Sequence, residues 1–209
     1  RGNDVSIIFN YNASLSDNYA TTLLPSITAQ NFLINGNGSD LLSGGINLNT
    51  DVRNLQIANL FPSEFSEGGD ITINNQGDLS LSDWSFSDIP SIENPGGSVN
   101  IKTSSPLSVD ADVLATGDIT LTAAGGDTGE LNIDADVISS GGNVEFVADN
   151  NINITLTSGT SNLIDAGGET PTITMTANND AATPSTTGAI TQSGGIVGSG
   201  DETLILSSA

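Results

Sequence analysis

Apolar and polar residues alternate along most of this chain, in short runs that follow one or two glycines. The segment from Gly68 to Ile73, for example, reads Gly-Gly-Asp-Ile-Thr-Ile. Alternation places Ile71 and Ile73 on one face of an extended strand and Thr72 on the other. Apolar residues at helical intervals of three and four are almost absent. The pattern therefore predicts short β-strands.

The same phrase recurs along the chain. Its last glycine falls at positions 45, 69, 97, 117, 142, 168 and 195, so the intervals are 24, 28, 20, 25, 26 and 27 residues. Most repeats hold a second alternating run after another corner, at 79–81, 107–109, 131–133 and 152–156. Recurrence at such intervals is the signature of a solenoid. We predict an all-β fold, a right-handed parallel β-helix of roughly eight coils with two or three strands each.

Composition agrees with a thin stacked core. The chain has 24 glycines, and together with its many Asn and Asp residues these are expected to supply corners with positive φ. Aromatic residues make up only 4% of the chain, so a globular core built on large rings is not expected. We predict one continuous domain, with irregular first coils at 1–43 and β-helix repeats at 44–209. We interpret it as a fragment of a longer protein.

The charge balance excludes several partners. Three basic residues oppose 25 acidic ones, which gives a net charge of −22. Such a chain cannot build the basic patch that nucleic acids or anionic membranes require. No apolar run approaches the roughly 18 residues of a membrane span, so no membrane insertion is expected either. The simplest explanation of the acidity is that it keeps the chain soluble and makes repetitive β surfaces repel one another.

Catalysis finds little support in the residue types present. There are no histidines and no cysteines, so a serine nucleophile lacks its usual base and thiolate chemistry is absent. Only Arg53 and Lys102 offer basic side chains within the repeats. Paired carboxylates, which suffice for a glycoside hydrolase, are expected by chance among so many acids. We predict that the chain is not an enzyme.

Two excursions from the repeat contain four of the nine aromatic residues. Trp84 and Phe86 lie in the second, between 82 and 95. Aromatic side chains that leave a rod can form a contact patch for a sugar or a protein. They can equally fold back over the core, since residues two apart point to the same side of a strand. Trp84 and Phe86 are thus candidate ligand-patch residues.

One segment overlaps a known calcium pattern. Residues 36–42 read Gly-Asn-Gly-Ser-Asp-Leu-Leu, which fits the core of the nonapeptide β-roll repeat and makes Asp40 a candidate metal ligand. The pattern does not recur nine residues later, so one segment makes half a site at most. The pairs Asp110/Asp112 and Asp134/Asp136 lie at alternate positions and are expected to project outward from a strand, either solvated or holding a hard cation. No cofactor is expected apart from a candidate calcium ion.

Runs of threonine raise one further hypothesis. Thr-x-Thr units occur at 120–122, 155–157 and 172–176, a pattern that flat ice-binding surfaces use. Asn, Ser or Glu stands at the equivalent places in other repeats, so a continuous array is not expected.

The repeats resemble those of a known family. Residues 117–126, read with 131–144, resemble the repeats of filamentous-haemagglutinin-type large exoproteins, which are bacterial adhesins exported by two-partner secretion. The resemblance covers about 44–209 and implies a β-helical fold. It also implies an extracellular or outer-surface location, and a role as a rigid shaft for adhesion or surface display. Its implied partners are a surface glycan or protein receptor, or further copies in a fibre.

Two alternatives stay open beside the adhesin-like shaft. The first is a carbohydrate-binding or carbohydrate-active β-helix. The second is a calcium-dependent module of the β-roll kind. The repeats of this family carry no catalytic motif, so the resemblance assigns no catalytic residue to this chain.

Overall fold

The computed structural model describes residues 4–8, 15–16, 27–35, 45–58, 69–84, 89–155, 163–179, 188–198, 200 and 202–208. Within these ranges the only helix is one 3-10 segment, Gly126–Thr128. The rest of the regular structure is extended. The strands are β1 Asp4–Ile8, β2 Leu15–Ser16, β3 Ile27–Asn35, β4 Ile46–Ala58, β5 Ile71–Asn75, β6 Leu79–Leu81, β7 Ile92–Asn94, β8 Val99–Thr103, β9 Leu107–Val109, β10 Val113–Ala115, β11 Ile119–Ala123, β12 Leu131–Ile133, β13 Val137–Ser139, β14 Val144–Ala148, β15 Ile152–Ile154, β16 Leu163–Asp165, β17 Thr172–Ala177, β18 Ile190–Gln192, β19 Ile196–Val197 and β20 Thr203–Ser208.

The strands wind into a parallel β-helix of the right-handed type, as predicted. Each coil has three strands, and each strand pairs in parallel with its equivalent in the coils before and after. Face A comprises β5, β8, β11, β14, β17 and β20. Face B comprises β6, β9, β12, β15 and β18, and face C comprises β7, β10, β13, β16 and β19. The long strand β4 precedes all three faces and pairs with β5, β6 and β7.

The number of coils is smaller than expected. The described residues contain five complete coils of three strands, from β5 to β19, rather than roughly eight. The prediction of roughly eight coils assumed that the whole chain winds into complete coils. Complete three-strand coils occur only between residues 71 and 197, while β1 to β4 and β20 contribute partial coils at the two ends.

The core is a set of rows that run along the rod axis. On face A, Ile71, Val99, Ile119, Val144 and Ile173 follow one another in register, and none is more than 1% exposed. A second row stacks Ile73, Ile101, Leu121, Phe146 and Met175 in the same way. Burial of each such side chain contributes about 2 kcal/mol of hydrophobic stabilisation relative to exposure. The alternation in the sequence thus becomes one continuous apolar column.

Glycine has two different roles at the corners. Gly45 and Gly168 have positive φ, of 75° and 110°, as expected. Gly97 and Gly142 do not, so the prediction is wrong for them. A Cβ at Gly97 would lie 2.6 Å from the carbonyl oxygen of Gly69, and one at Gly142 would lie 2.5 Å from the backbone nitrogen of Asp118. These glycines are required because neighbouring coils approach too closely for a side chain.

A few polar side chains are buried inside the rod, where they hold corners together. Asn75 is 4% exposed and bonds both to the coil before it and to its own corner. Its Oδ1 accepts hydrogen bonds from the Val52 N–H and the Thr50 hydroxyl, both at 2.9 Å. Its Nδ2 donates to the Val52 carbonyl at 3.0 Å. Because every such bond is made inside a dry interior, removal of the amide would leave several buried groups unpaired.

Candidate functional site

Of the candidate site residues predicted from the sequence, the structure describes Trp84 but not Phe86 or Asp40. Trp84 follows β6 and is partly buried, and its Nε1 is buried without a hydrogen-bond partner. Phe86 and Asp40 lie outside the described residues. The aromatic ligand patch and the Asp40 calcium site therefore stay predictions. The partial burial of Trp84 favours a side chain folded against the rod.

The acidic pairs do not project from strands, so that expectation is wrong. Asp110 and Asp112 lie in the corner between β9 and β10, and Asp134 and Asp136 lie in the equivalent corner one coil later. Asp110 accepts a hydrogen bond from the hydroxyl of Ser80. Asp112 and Asp136 are partly buried, because their side chains turn along the rod axis toward the next coil.

A recurring contact explains where these carboxylates point. An Asp or Asn that immediately precedes a strand accepts, through its side-chain oxygen, the backbone N–H of the equivalent residue one coil later. These corner acceptors occur at all three corners. The pairs, acceptor first, are Asp70–Ser98 at 2.9 Å, Asp118–Asn143 at 2.7 Å, Asn143–Thr172 at 3.0 Å, Asp112–Asp136 at 3.1 Å, Asp136–Leu163 at 2.8 Å and Asn151–Ala189 at 2.9 Å.

The corner acceptors give part of the acidity a structural role. At a corner, the regular ladder of backbone hydrogen bonds between stacked strands is interrupted, so the corner N–H needs another acceptor. A carboxylate oxygen provides it through a charge-assisted hydrogen bond. Sequence reasoning missed this role because an Asp before a strand is equally typical of a solvated corner. The available signal was the repeated position of Asp or Asn immediately before the apolar-x-apolar run.

One corner acceptor has a perturbed acidity. Burial raises the pKa of Asp136 above its ordinary value of 3.8, the Leu163 N–H lowers it, and the charge of Asp112 raises it again. The folded state therefore holds this proton to a higher pH than the unfolded chain does. Consequently Asp136 makes the fold less stable as pH rises from about 3.8 through its folded pKa.

Asp136→Asn should remove this penalty. An amide Oδ1 still accepts the Leu163 N–H, while the buried charge and its repulsion with Asp112 disappear. We expect a thermal midpoint at pH 7 equal to or above that of the parent, and a smaller decline in midpoint from about pH 4 to 7. Asp134→Asn, at an exposed corner position, is the matched control. Two variants with parallel pH profiles would contradict the assignment.

Face B carries a row of uncharged polar side chains on its outer surface. Its members follow one another in register from coil to coil: Asn31, Asn54, Ser80, Ser108, Asn132, Asn153 and Thr191. Several of them bond along the rod axis. Asn153 Nδ2 donates to Asn132 Oδ1 at 3.0 Å, and the Thr191 hydroxyl donates to Asn153 Oδ1 at 2.9 Å. Faces A and C place charged residues such as Glu145 and Glu93 at the corresponding positions.

A cleft of about 410 Å³ opens beside this face-B row. Exposed Arg53 borders it, together with Gln30 and the row residues Asn54, Ser80 and Ser108. The cleft combines the Arg53 guanidinium and the exposed Asp78 carboxylate with amide and hydroxyl groups that both donate and accept hydrogen bonds. Among the described residues, this cleft is the candidate ligand site that adjoins the face-B row.

A metal centre and a Thr-x-Thr surface receive no such support. In the described ranges, no group of three or more acidic side chains is placed to hold a metal ion. Across face A, Glu145 separates Thr120 from Thr174 in register, so the threonines form no continuous rank there.

Comparisons with known proteins add no relationship. No protein-family model, no curated protein and no solved structure matches the chain. Over the part of the chain that the structure describes, no helix is long and apolar enough to cross a membrane.

Proposed function

We propose that this chain is a structural and adhesive segment of a secreted or cell-surface bacterial exoprotein, a rigid shaft for adhesion or surface display. The observation that supports this most is the apolar column, which continues on face A through all five complete coils. The resemblance of the repeats to filamentous-haemagglutinin-type exoproteins supports it as well. A function in a surface shaft needs length, stiffness and an outer surface free to vary.

The β-helix supplies these properties by simple means. Each coil pairs only with its neighbours, so length grows by repetition without a larger core. Backbone hydrogen bonds run along the rod axis, and the corner acceptors add further bonds in the same direction. The net charge of −22 keeps parallel shafts apart in solution through mutual repulsion.

Attachment of coated beads to cells tests the adhesive role. Beads that carry the chain at one terminus should bind to a panel of host and bacterial cells more than beads coated with an unrelated protein of similar negative charge. Equal binding of the two bead types to every cell type would contradict adhesion by this segment.

Carbohydrate binding is the second candidate, and the face-B row with its Arg53 cleft favours it. Sugar hydroxyl groups both donate and accept hydrogen bonds, which matches amide and hydroxyl side chains. The Arg53 guanidinium can donate hydrogen bonds to sugar hydroxyl groups, and the Asp78 carboxylate in the same cleft can accept them. Because Asp78 and the net charge of −22 repel a carboxylate, the ligand class is a neutral glycan.

Arg53→Gln should weaken binding to such glycans on an array by at least about tenfold, since a hydrogen bond to a charged group contributes about 1.5–3 kcal/mol. Lys102→Gln is the control, because Lys102 is exposed on face A and its loss changes the net charge equally. If the parent binds no neutral glycan, or if both variants lose affinity equally, the Arg53 cleft is not the site.

A further inference from the structure

Face C carries two neighbouring aliphatic side chains on its outer surface. Its outward row reads Glu93, Leu114, Ile138 and Asp165, and these residues follow one another in register on β7, β10, β13 and β16. Leu114 and Ile138 are both partly exposed. An outward position of the rod does not need an aliphatic residue, since every position of the face-B row is polar. The pair therefore points to a contact outside the rod.

A cleft of about 360 Å³ opens over this aliphatic pair. Most of its wall is apolar and comes from Leu114, Ile138, Pro95 and Ala115, while Glu93 lies at its edge. We name it the face-C cleft. Apolar side chains of a partner would gain free energy there, because both partners would remove apolar surface from water.

Carboxylates surround the aliphatic pair on three sides. Glu93 and Asp165 occupy the outward positions before and after the pair along the rod axis. Asp112 and Asp136 each lie two residues before one member of the pair, at the start of the same strands. Within the described residues, no lysine or arginine lies on face C. An apolar cleft with this surrounding charge complements a partner that combines apolar and basic side chains.

The spacing of the outward row indicates the conformation that fits it. Residues of successive coils lie about 4.8 Å apart, so Glu93 and Asp165, three coils apart, are separated by about 14 Å. A helix advances about 5.4 Å in each turn, or about 16 Å in three turns. Side chains on one side of an extended strand recur only every 6.6 Å or so and reach about 20 Å in three steps. A helix along the rod axis is therefore the better match.

We propose that the face-C cleft binds a cationic amphipathic helix of a partner protein, oriented along the rod axis. Leu114 and Ile138 contact apolar side chains on two consecutive turns of that helix. Glu93 and Asp165 pair with basic side chains one turn before and one turn after. The apolar contact provides affinity, and the flanking charges fix the position of the helix along the row. This site lies on a different face from the Arg53 cleft, and it depends neither on adhesion nor on glycan binding.

A designed peptide is the probe for this site. It has about 18 residues, enough to form a helix, and carries lysine, leucine, leucine and lysine one turn apart on one side, with alanine and glutamine elsewhere. Fluorescence anisotropy of the labelled peptide, titrated with the full chain, should show saturable binding that weakens from about 0.05 M to about 0.5 M NaCl. A second peptide with alanine in place of both leucines should bind at least about tenfold more weakly.

Substitutions on face C locate the contact. The double variant Leu114→Thr/Ile138→Thr removes apolar surface but places a good strand former at each position, and it should weaken binding of the leucine peptide at least about tenfold. Val147→Thr, at an outward position of face A, is the matched control and should leave binding unchanged. Glu93→Gln should weaken binding more at low salt than at high salt. Glu145→Gln, outward on face A, should have a smaller effect.

Three results would overturn the proposal. They are the absence of saturable binding of the leucine peptide to the parent, equal binding of the leucine and alanine peptides, and a double threonine variant that binds no more weakly than Val147→Thr. Equal binding of the two peptides would mean that the net charge of −22 attracts any cationic peptide. The first two results need only the parent chain, so they decide the matter even if a variant fails to fold.

Discussion

Ile119→Asp is expected to lower the free energy of unfolding by at least about 4 kcal/mol, since it combines loss of a buried aliphatic side chain with an unpaired carboxylate in a dry interior. Ile119 is 0% exposed and lies between Val99 and Val144 in the first core row of face A. Chemical denaturation followed by circular dichroism measures the change. We expect the coils around β11 to lose their stacking first.

Thr122→Asp is the matched control for this substitution. Thr122 belongs to the same strand but points outward, beside Lys102 in the preceding coil. The same charge at this position should change the free energy of unfolding by less than about 1 kcal/mol. If Ile119→Asp kept the stability of the parent, the inward assignment of the alternating aliphatic residues would be wrong.

Gly142→Ala is expected to cost about 2–3 kcal/mol through overpacking. An added Cβ would lie 2.5 Å from the Asp118 nitrogen and 2.7 Å from the Gly117 carbonyl carbon, both backbone atoms that cannot move without disturbing the previous coil. The Gly142 N–H also donates to Ser139 Oγ at 2.8 Å, so a shift of the corner would strain that bond as well. The midpoint of urea unfolding measures the effect.

Gly200→Ala is the appropriate comparison for this change. The nearest atom to a Cβ at Gly200 lies 3.8 Å away, an ordinary contact distance. The substitution is expected to leave stability within about 0.5 kcal/mol of the parent or to raise it slightly, because alanine restricts the unfolded chain more than glycine does. Similar losses at both positions would show that close coil packing is not the reason for Gly142.

The alternation of residues was enough to predict faces A and B. Runs such as Ile71–Thr72–Ile73 and Leu79–Ser80–Leu81 place apolar side chains inside and polar ones outside, and the structure confirms both as strands. Face C was not located from the sequence. In β10 the outward position is held by Leu114, between buried Val113 and Ala115, so apolar residues occupy all three positions and period-two alternation is lost.

The corner acceptors and the face-B row could not be predicted, because both depend on which residues pair between neighbouring coils. The sequence alone does not give this register. Asp118 and Asn143 are 25 residues apart, and only the stacking of β11 on β14 shows that one side chain caps the backbone of the other. The neutral outer row likewise depends on pairing residues from coils of unequal length. Repeat spacing between 20 and 28 residues leaves several registers possible until the strands are paired.

The exposure of strand β20 could not be predicted from the sequence for a related reason. Leu204 and Leu206 have the same apolar-x-apolar pattern as Ile173 and Met175, so the sequence predicts burial for all four. Whether such a residue is buried depends on the presence of a coil on each side, which is a property of the stack and not of the local pattern. The exposure of Leu204 and Leu206 was therefore visible only in the three-dimensional arrangement.

Distances between outer positions of face A test the central claim most directly, namely that equivalent residues of successive coils stack in parallel along one axis. The chain has no cysteine, so Asn47→Cys can be combined in turn with Glu145→Cys, Thr174→Cys or Ile205→Cys and labelled with nitroxides. These partners are four, five and six strands away from Asn47 on the same face. Double electron–electron resonance should give distances that rise by about 4.8 Å at each step, from about 19 Å to about 29 Å. Distances that stay constant or fall across the series would contradict the stacked β-helix.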